Sequence, residues 1–259
     1  MQYPLVHFRR LSLMLSLTLA ATAPKAQTAD DLNQEGTLLV RNLKEDSALT
    51  VYQSVLVIQP DNLTALVACS DLSGRIGARM TDKQKARQLE LYEAAQDYAA
   101  KALKVDTGSS DANCAMALAL TDLSQVEREK KRAGDLRDVR TYCDIAIRQN
   151  PRNFRAWYVL GKWYYTVVHL GGMEKAGLKV LYGGLPDATI KDAIVCFEKS
   201  RSLNRGFIRA YLDLAKAYKD DDQGEKSIAV LQALVRLPVV TEDDPALKAE
   251  GRQLLDAAM

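Results

Sequence analysis

The chain predicts an all-α protein: a right-handed superhelix of antiparallel helix pairs, about five pairs with a C-terminal capping helix. Three observations carry this. Apolar residues recur at i, i+3, i+4 and i+7 nearly throughout, with almost no strand signal. One register of packing positions, worked outward from Trp157, fits the whole chain. Composition is that of a folded domain, with 47% hydrophobic and 26% charged residues, and no internal segment is low-complexity.

The register is read most easily at its centre. Trp157, Leu160, Gly161 and Tyr164 fit W-x2-L-G-x2-Y, the first-helix signature of the tetratricopeptide repeat, with Pro151 ending the helix before it. Trp157, Leu160 and Tyr164 share one helix face, and Gly161 lacks a Cβ, so a neighbouring helix can approach closely. The second-helix half recurs upstream at Ala48, Tyr52, Val55 and Pro60, at Ala94, Tyr98 and Asp106, and at Cys143, Ala146 and Pro151. Ala193, Phe197 and Ser200 form the second helix that follows Trp157. Tyr211, Leu214, Ala215 and Tyr218 restate the first-helix signature, and Leu231, Leu234 and Pro238 close that unit. Units are expected near 30–60, 61–107, 108–151, 152–205 and 206–238, with a last helix from Glu242 to Ala257. Asp111, Asn153 and Thr241 or Glu242 are the expected helix starts.

The middle units exceed the usual repeat of about 34 residues. The surplus falls at Gly74–Lys85, at the charged Ser124–Asp135, and at the glycine-rich Gly171–Ala188. The first two read as longer helices. The third reads as a spacer with a short helix around Glu174–Leu181, or as a lid over one edge of the groove.

Residues 1–26 read as a secretory signal, with a basic start (His7, Arg9, Arg10), an apolar run Leu11–Ala21 and cleavage after Ala26. Residues 27–259 then form one tetratricopeptide-like repeat domain, exported to the periplasm or secreted. No later stretch is long and apolar enough to span a membrane. Losing Arg9, Arg10 and Lys25 takes the formal charge from +2 to −1, which argues against a nucleic-acid partner. Cys69, Cys114, Cys143 and Cys196 show no metal-ligand spacing and occupy packing positions, so they read as buried core residues.

From Asn150 onward the chain resembles the regulator of microtubule dynamics family, tetratricopeptide-like proteins. The matching residues are Asn150-Pro151-Arg152-Asn153, Leu160-Gly161-Lys162-Trp163-x-Tyr165-x-Val167-x-His169-Leu170 and Glu174-Lys175. They continue through Pro186-x-Ala188-Thr189, Asp192-Ala193, Phe197, Gly206-Phe207 and Leu237-Pro238-x-Val240-Thr241-x-Asp243. The resemblance implies a helical-repeat fold with a groove, and microtubule association in animal members. The signal-like start instead suggests a bacterial exported member.

Catalytic signatures are missing from the sequence: no G-x-S-x-G, HExxH, nucleotide loop or metal cluster is present. The expectation is a non-catalytic scaffold with no cofactor and no metal. Its groove would be lined by the first helix of each pair. Arg155, Tyr158, Lys162, Tyr165 and His169 share one face, distinct from that of Trp157. Arg209, Lys216 and Lys219 take the corresponding positions one unit on. This basic stripe with two tyrosines would hold a protein or peptide bearing an acidic or carboxylate-rich segment. Two other readings stay open: self-assembly with the groove filled by the terminal helix or a second copy, and a lipid-binding solenoid closed by the glycine-rich insertion.

Overall fold

The computed structural model describes residues 27–126 and 129–258; the expected signal at 1–26 lies outside the described residues, as do the side chains of 127–133, which include the charged run. Twelve α-helices and one 3-10 turn make up the described residues, with no strand among them.

The helices pair as the register requires. α1 (Ala29–Arg41) packs on α2 (Glu45–Ile58), and α3 (Leu63–Ala78) on α4 (Lys85–Val105) after a 3-10 turn at Asp82–Gln84. α5 (Ser110–Val126) pairs with α6 (Glu129–Gln149). α7 (Phe154–His169) pairs with α9 (Ile190–Leu203), with α8 (Gly172–Tyr182) inserted between them in sequence. α10 (Ile208–Asp220) pairs with α11 (Gly224–Arg236), and α12 (Asp244–Asp256) covers both. First helices also touch one another in the order α3, α5, α7, α10, α12, so they form an inner layer. The tetratricopeptide-like solenoid expected from the sequence is what forms.

Local chemistry sets several helix starts. Thr28 and Asp31 build a capping box at α1, and Thr189 and Asp192 build one at α9. Asn62 and Asn153 cap α3 and α7, each accepting from the backbone N–H three residues on. Two starts differ from expectation by a residue or two. Ser109, not Asp111, accepts from the Ala112 N–H at α5, and α12 begins at Asp244 rather than at Thr241 or Glu242.

The packing core follows the signature with one exchange. Gly161 lets the Phe197 ring lie against α7, since a Cβ there would sit 2.6 Å from Phe197 Cδ1. Leu160 is buried, but Trp157 is only half-buried and donates its indole N–H to the Pro151 carbonyl at 2.9 Å. Trp163 is the large buried indole instead, donating to the Leu136 carbonyl at 2.5 Å. All four cysteines are free and buried among apolar neighbours. Buried residues from α4 to α11 share the main cluster, with α12 packed against it, while Tyr52, Val55, Cys69 and Leu72 belong to a separate one around α1–α3.

The insertion does not cover the groove. α8 packs on α6, burying Leu178, and no described residue of 171–188 lines the inner cavity. Val240, Thr241 and Asp243, between α11 and α12, and Asp244 at the start of α12 line it instead.

Candidate ligand cavity on the inner face

The inner faces of α3, α5, α7 and α10 meet at a common space. Asp71, Gly74, Arg75 and Ala78 of α3 follow i, i+3, i+4, i+7, and Leu118, Thr121, Asp122 and Gln125 of α5 repeat that spacing. Arg155, Tyr158 and Lys162 of α7 and Arg209 of α10 face them across a cavity of about 420 Å³. Phe154, Tyr158 and Phe207 supply an aromatic wall; the Phe207 ring meets Phe154 edge-on at 5.0 Å and Tyr158 at 5.1 Å. Val240, Thr241, Asp243 and Asp244 complete the lining from the C-terminal side.

Cations and carboxylates alternate around this space. Arg155 meets Asp71 at 3.1 Å, and that carboxylate beside it raises the Arg155 guanidinium above its ordinary value. Arg209 donates to Asp243 at 2.6 Å. Lys162 is held only loosely, 4.0 Å from Asp213. Asp213 instead accepts from the Tyr158 hydroxyl at 2.9 Å, and burial pushes that phenol well above the usual range. Asp122 enters from α5, and burial pushes its carboxyl up to about 7 against the pull of Arg209 and Lys162. Burial also lowers the Arg75 guanidinium, to about 10, so it stays charged at neutral pH.

Not all of the predicted stripe meets here. Arg155, Tyr158, Lys162 and Arg209 line the cavity. Tyr165 and His169 form a separate cluster on Asp220: the Tyr165 hydroxyl donates to it at 2.6 Å, and His169 Nε2 lies 3.3 Å away. Lys216 reaches Glu250 of α12 at 2.7 Å, so the capping helix takes that part of the groove. Lys219 is exposed in the last turn of α10.

Sequence reasoning missed the acids opposite the bases, and it missed a charge cluster at the cavity's edge. Glu45 at the start of α2 is fully buried, ion-paired with Arg75 and with Arg79 at 2.6 Å. Asp243 joins the same two arginines, accepting from Arg79 at 3.1 Å with Arg75 at 3.7 Å. Burial alone would raise the Asp243 carboxyl, yet Arg209 and Arg79 hold it below its usual value. Glu242 Oε1 accepts the Glu45 backbone N–H at 2.7 Å, capping a helix whose own N-cap residue, Lys44, has no side-chain cap. Arg75 was legible as one turn beyond Asp71 on the same face. Nothing local to Asp243 or Glu242 announces a partner near residue 45.

Among the described residues no cluster of His, Cys, Asp and Glu fits a metal ion, and no helix is long and apolar enough to cross a membrane.

The chain is similar to Regulator of microtubule dynamics protein 3 of Xenopus laevis, with 33% identity over 153 residues, 58% of this chain and 33% of the relative. It is 26% identical to Regulator of microtubule dynamics protein 1 of Mus musculus over 173 residues, 66% of this chain and 56% of that one. It thus spans between a third and a little over half the length of these relatives. Among solved structures, a thermophilic TPR protein of Thermus thermophilus superposes with a TM-score of 0.63 at 14% identity, covering 89% of this chain and 98% of that one. That likeness concerns the fold alone. The family model for Regulator of microtubule dynamics protein 1-3 matches residues 27–259, the whole of the helical-repeat region, and the chain belongs to that family.

Proposed function

We propose that this protein is a non-catalytic binding scaffold that takes an acidic or carboxylate-bearing segment of a partner protein into its inner cavity. The carrying observation is the convergence of Arg75, Arg155, Lys162 and Arg209 on one space beside an aromatic wall. Guanidinium and ammonium groups there offer charge-assisted hydrogen bonds to carboxylates, and the rings offer apolar contact to the intervening stem. Lys162 is the cation with the loosest partner, so it is the residue an incoming carboxylate engages at least cost.

The test is titration of hexaglutamate, with hexaglutamine as control, into wild type, Lys162→Ala and Lys219→Ala. Lys162→Ala is expected to weaken binding at least tenfold, a change of about 1.4 kcal/mol. Lys219→Ala, outside the cavity, leaves it unchanged. Equal affinities in all three proteins discard the reading.

The enclosure of the cavity and its lining by Leu118, Phe154, Val159 and Phe207 favour a second reading, an anionic lipid with its head on the arginines. Organic extraction of purified protein followed by mass spectrometry separates the two. A microtubule partner is carried by the family's name; co-sedimentation with polymerised tubulin tests it. Self-assembly is tested by native mass at two concentrations. Export with cleavage after Ala26 is tested by sequencing the N-terminus of protein from its native host.

A further inference from the structure

The cavity is bounded on one side by a strap that is itself acidic. Glu242, Asp243 and Asp244 are consecutive, and each carboxylate is used. Asp244 folds back to accept the N–H groups of Val240 and Thr241, both at 2.8 Å, which shapes the turn. That turn presents Glu242 to the α2 N-terminus and to Arg79 at 3.3 Å, and Asp243 to Arg79 and Arg209. Leu237 at its start packs against the main core, but the apolar residues that follow do not hold the strap. Val239 and Val240 remain 39% and 48% exposed, while Asp243 is 6% exposed. Apolar groups facing solvent and a carboxylate buried is the reverse of a loop held by hydrophobic packing. Ionic contacts with α3 and α10 hold it down, and those contacts are of the kind an external carboxylate would make.

We propose that residues 240–244 are a built-in competitor: the strap occupies Arg75, Arg79 and Arg209 as an acidic partner segment would, and such a segment must displace Asp243 to bind. This rests on the acidic-segment reading above and adds a regulatory step to it. A tethered competitor acts at an effective concentration of the order of millimolar, so the closed form lowers the apparent affinity by the fraction of molecules that are closed. Binding therefore opens the contact between the strap and α2, and it links the C-terminal segment to the N-terminal repeat.

Hexaglutamate titrated into wild type and into Glu242→Gln/Asp243→Asn tests this directly. The double variant is expected to bind at least tenfold more tightly, and adding Lys162→Ala to it reverses the gain. If both proteins bind equally and Lys162→Ala weakens both, the cavity reading stands and the strap is not a competitor. If neither protein binds hexaglutamate, the cavity reading fails and this inference with it. Hydrogen exchange on wild type needs no variant to fold. Saturating hexaglutamate should speed exchange at the amides of Glu45, Val240 and Thr241, which the strap contacts protect. Unchanged or slower exchange at those amides with peptide bound overturns the proposal.

Discussion

At the scale of single residues, the cavity is defined by groups that compensate one another incompletely. Asp122 is the clearest case: it sits among cations, yet burial raises its carboxyl to about 7. An acid whose folded pKa lies above its unfolded value, near 3.9, destabilises the fold as pH rises between the two. In that window the folded chain holds a proton that the unfolded chain has released. Asp122→Asn is therefore expected to stabilise the protein relative to wild type at pH 8. The gain should shrink below pH 7 and vanish near pH 4. Urea midpoints at pH 4, 6 and 8 check this, and a gain independent of pH removes Asp122 as the titrating group. The same comparison shows what a sequence reveals about such residues. Arg155, Lys162 and Arg209 were legible because helical spacing places them on the inner face. Asp122 and Asp213 were not, because whether a carboxylate is solvated or enclosed depends on helices distant in sequence.

At the scale of elements, glycines mark which helices touch and which stand apart. In α7, a Cβ on Gly161 would meet the Phe197 ring at 2.6 Å, and the ring is fully buried with no room to withdraw. Gly161→Ala is expected to cost about 1–3 kcal/mol through overpacking, outweighing its better helix propensity. In α8, a Cβ on Gly177 meets nothing within 4 Å. Gly177→Ala should stabilise by up to about 1 kcal/mol through propensity alone. Thermal melts of the pair are expected to shift in opposite directions; a shift of the same sign in both contradicts this account of the α7–α9 contact. Helix existence, order and boundaries were legible to within a few residues, since periodicity and the caps at Asn62 and Asn153 are local. The glycine-rich insertion carries the short helix its sequence suggests, α8, but the alternative reading as a lid does not hold: α8 docks on α6, and the C-terminal side of the cavity is lined by residues of 240–244. Glycine content says that a segment can bend, but not which surface it will meet.

At the scale of the whole molecule, a solenoid normally couples only neighbouring repeats. Here the cap from Glu242 ties the last unit to the first across 197 positions of sequence, and the ion pairs of Asp243 with Arg75 and Arg79 tie it to the second. The α1–α3 end, whose apolar cluster is separate from the main one, thus also receives polar contacts from the other end of the chain. Arg79→Ala is expected to cost about 1–3 kcal/mol, less than a fully broken buried pair because Arg75 still meets Glu45. Its mark should be faster hydrogen exchange in α2, with α7 and α9 unaffected. Uniform loss of protection throughout the chain would show that these contacts do not act as a local tie. The sequence by itself determined the all-α class, the five helix pairs, the capping helix and the inward-facing bases. Each of these follows from a period, a cap or a helix face, and needs only residues within a few turns. Tertiary structure alone decided which acids meet those bases, that Trp163 rather than Trp157 is buried, and that the strap lines the cavity. Those outcomes depend on charges and surfaces brought together from helices distant in sequence, and no local pattern encodes which helices will meet.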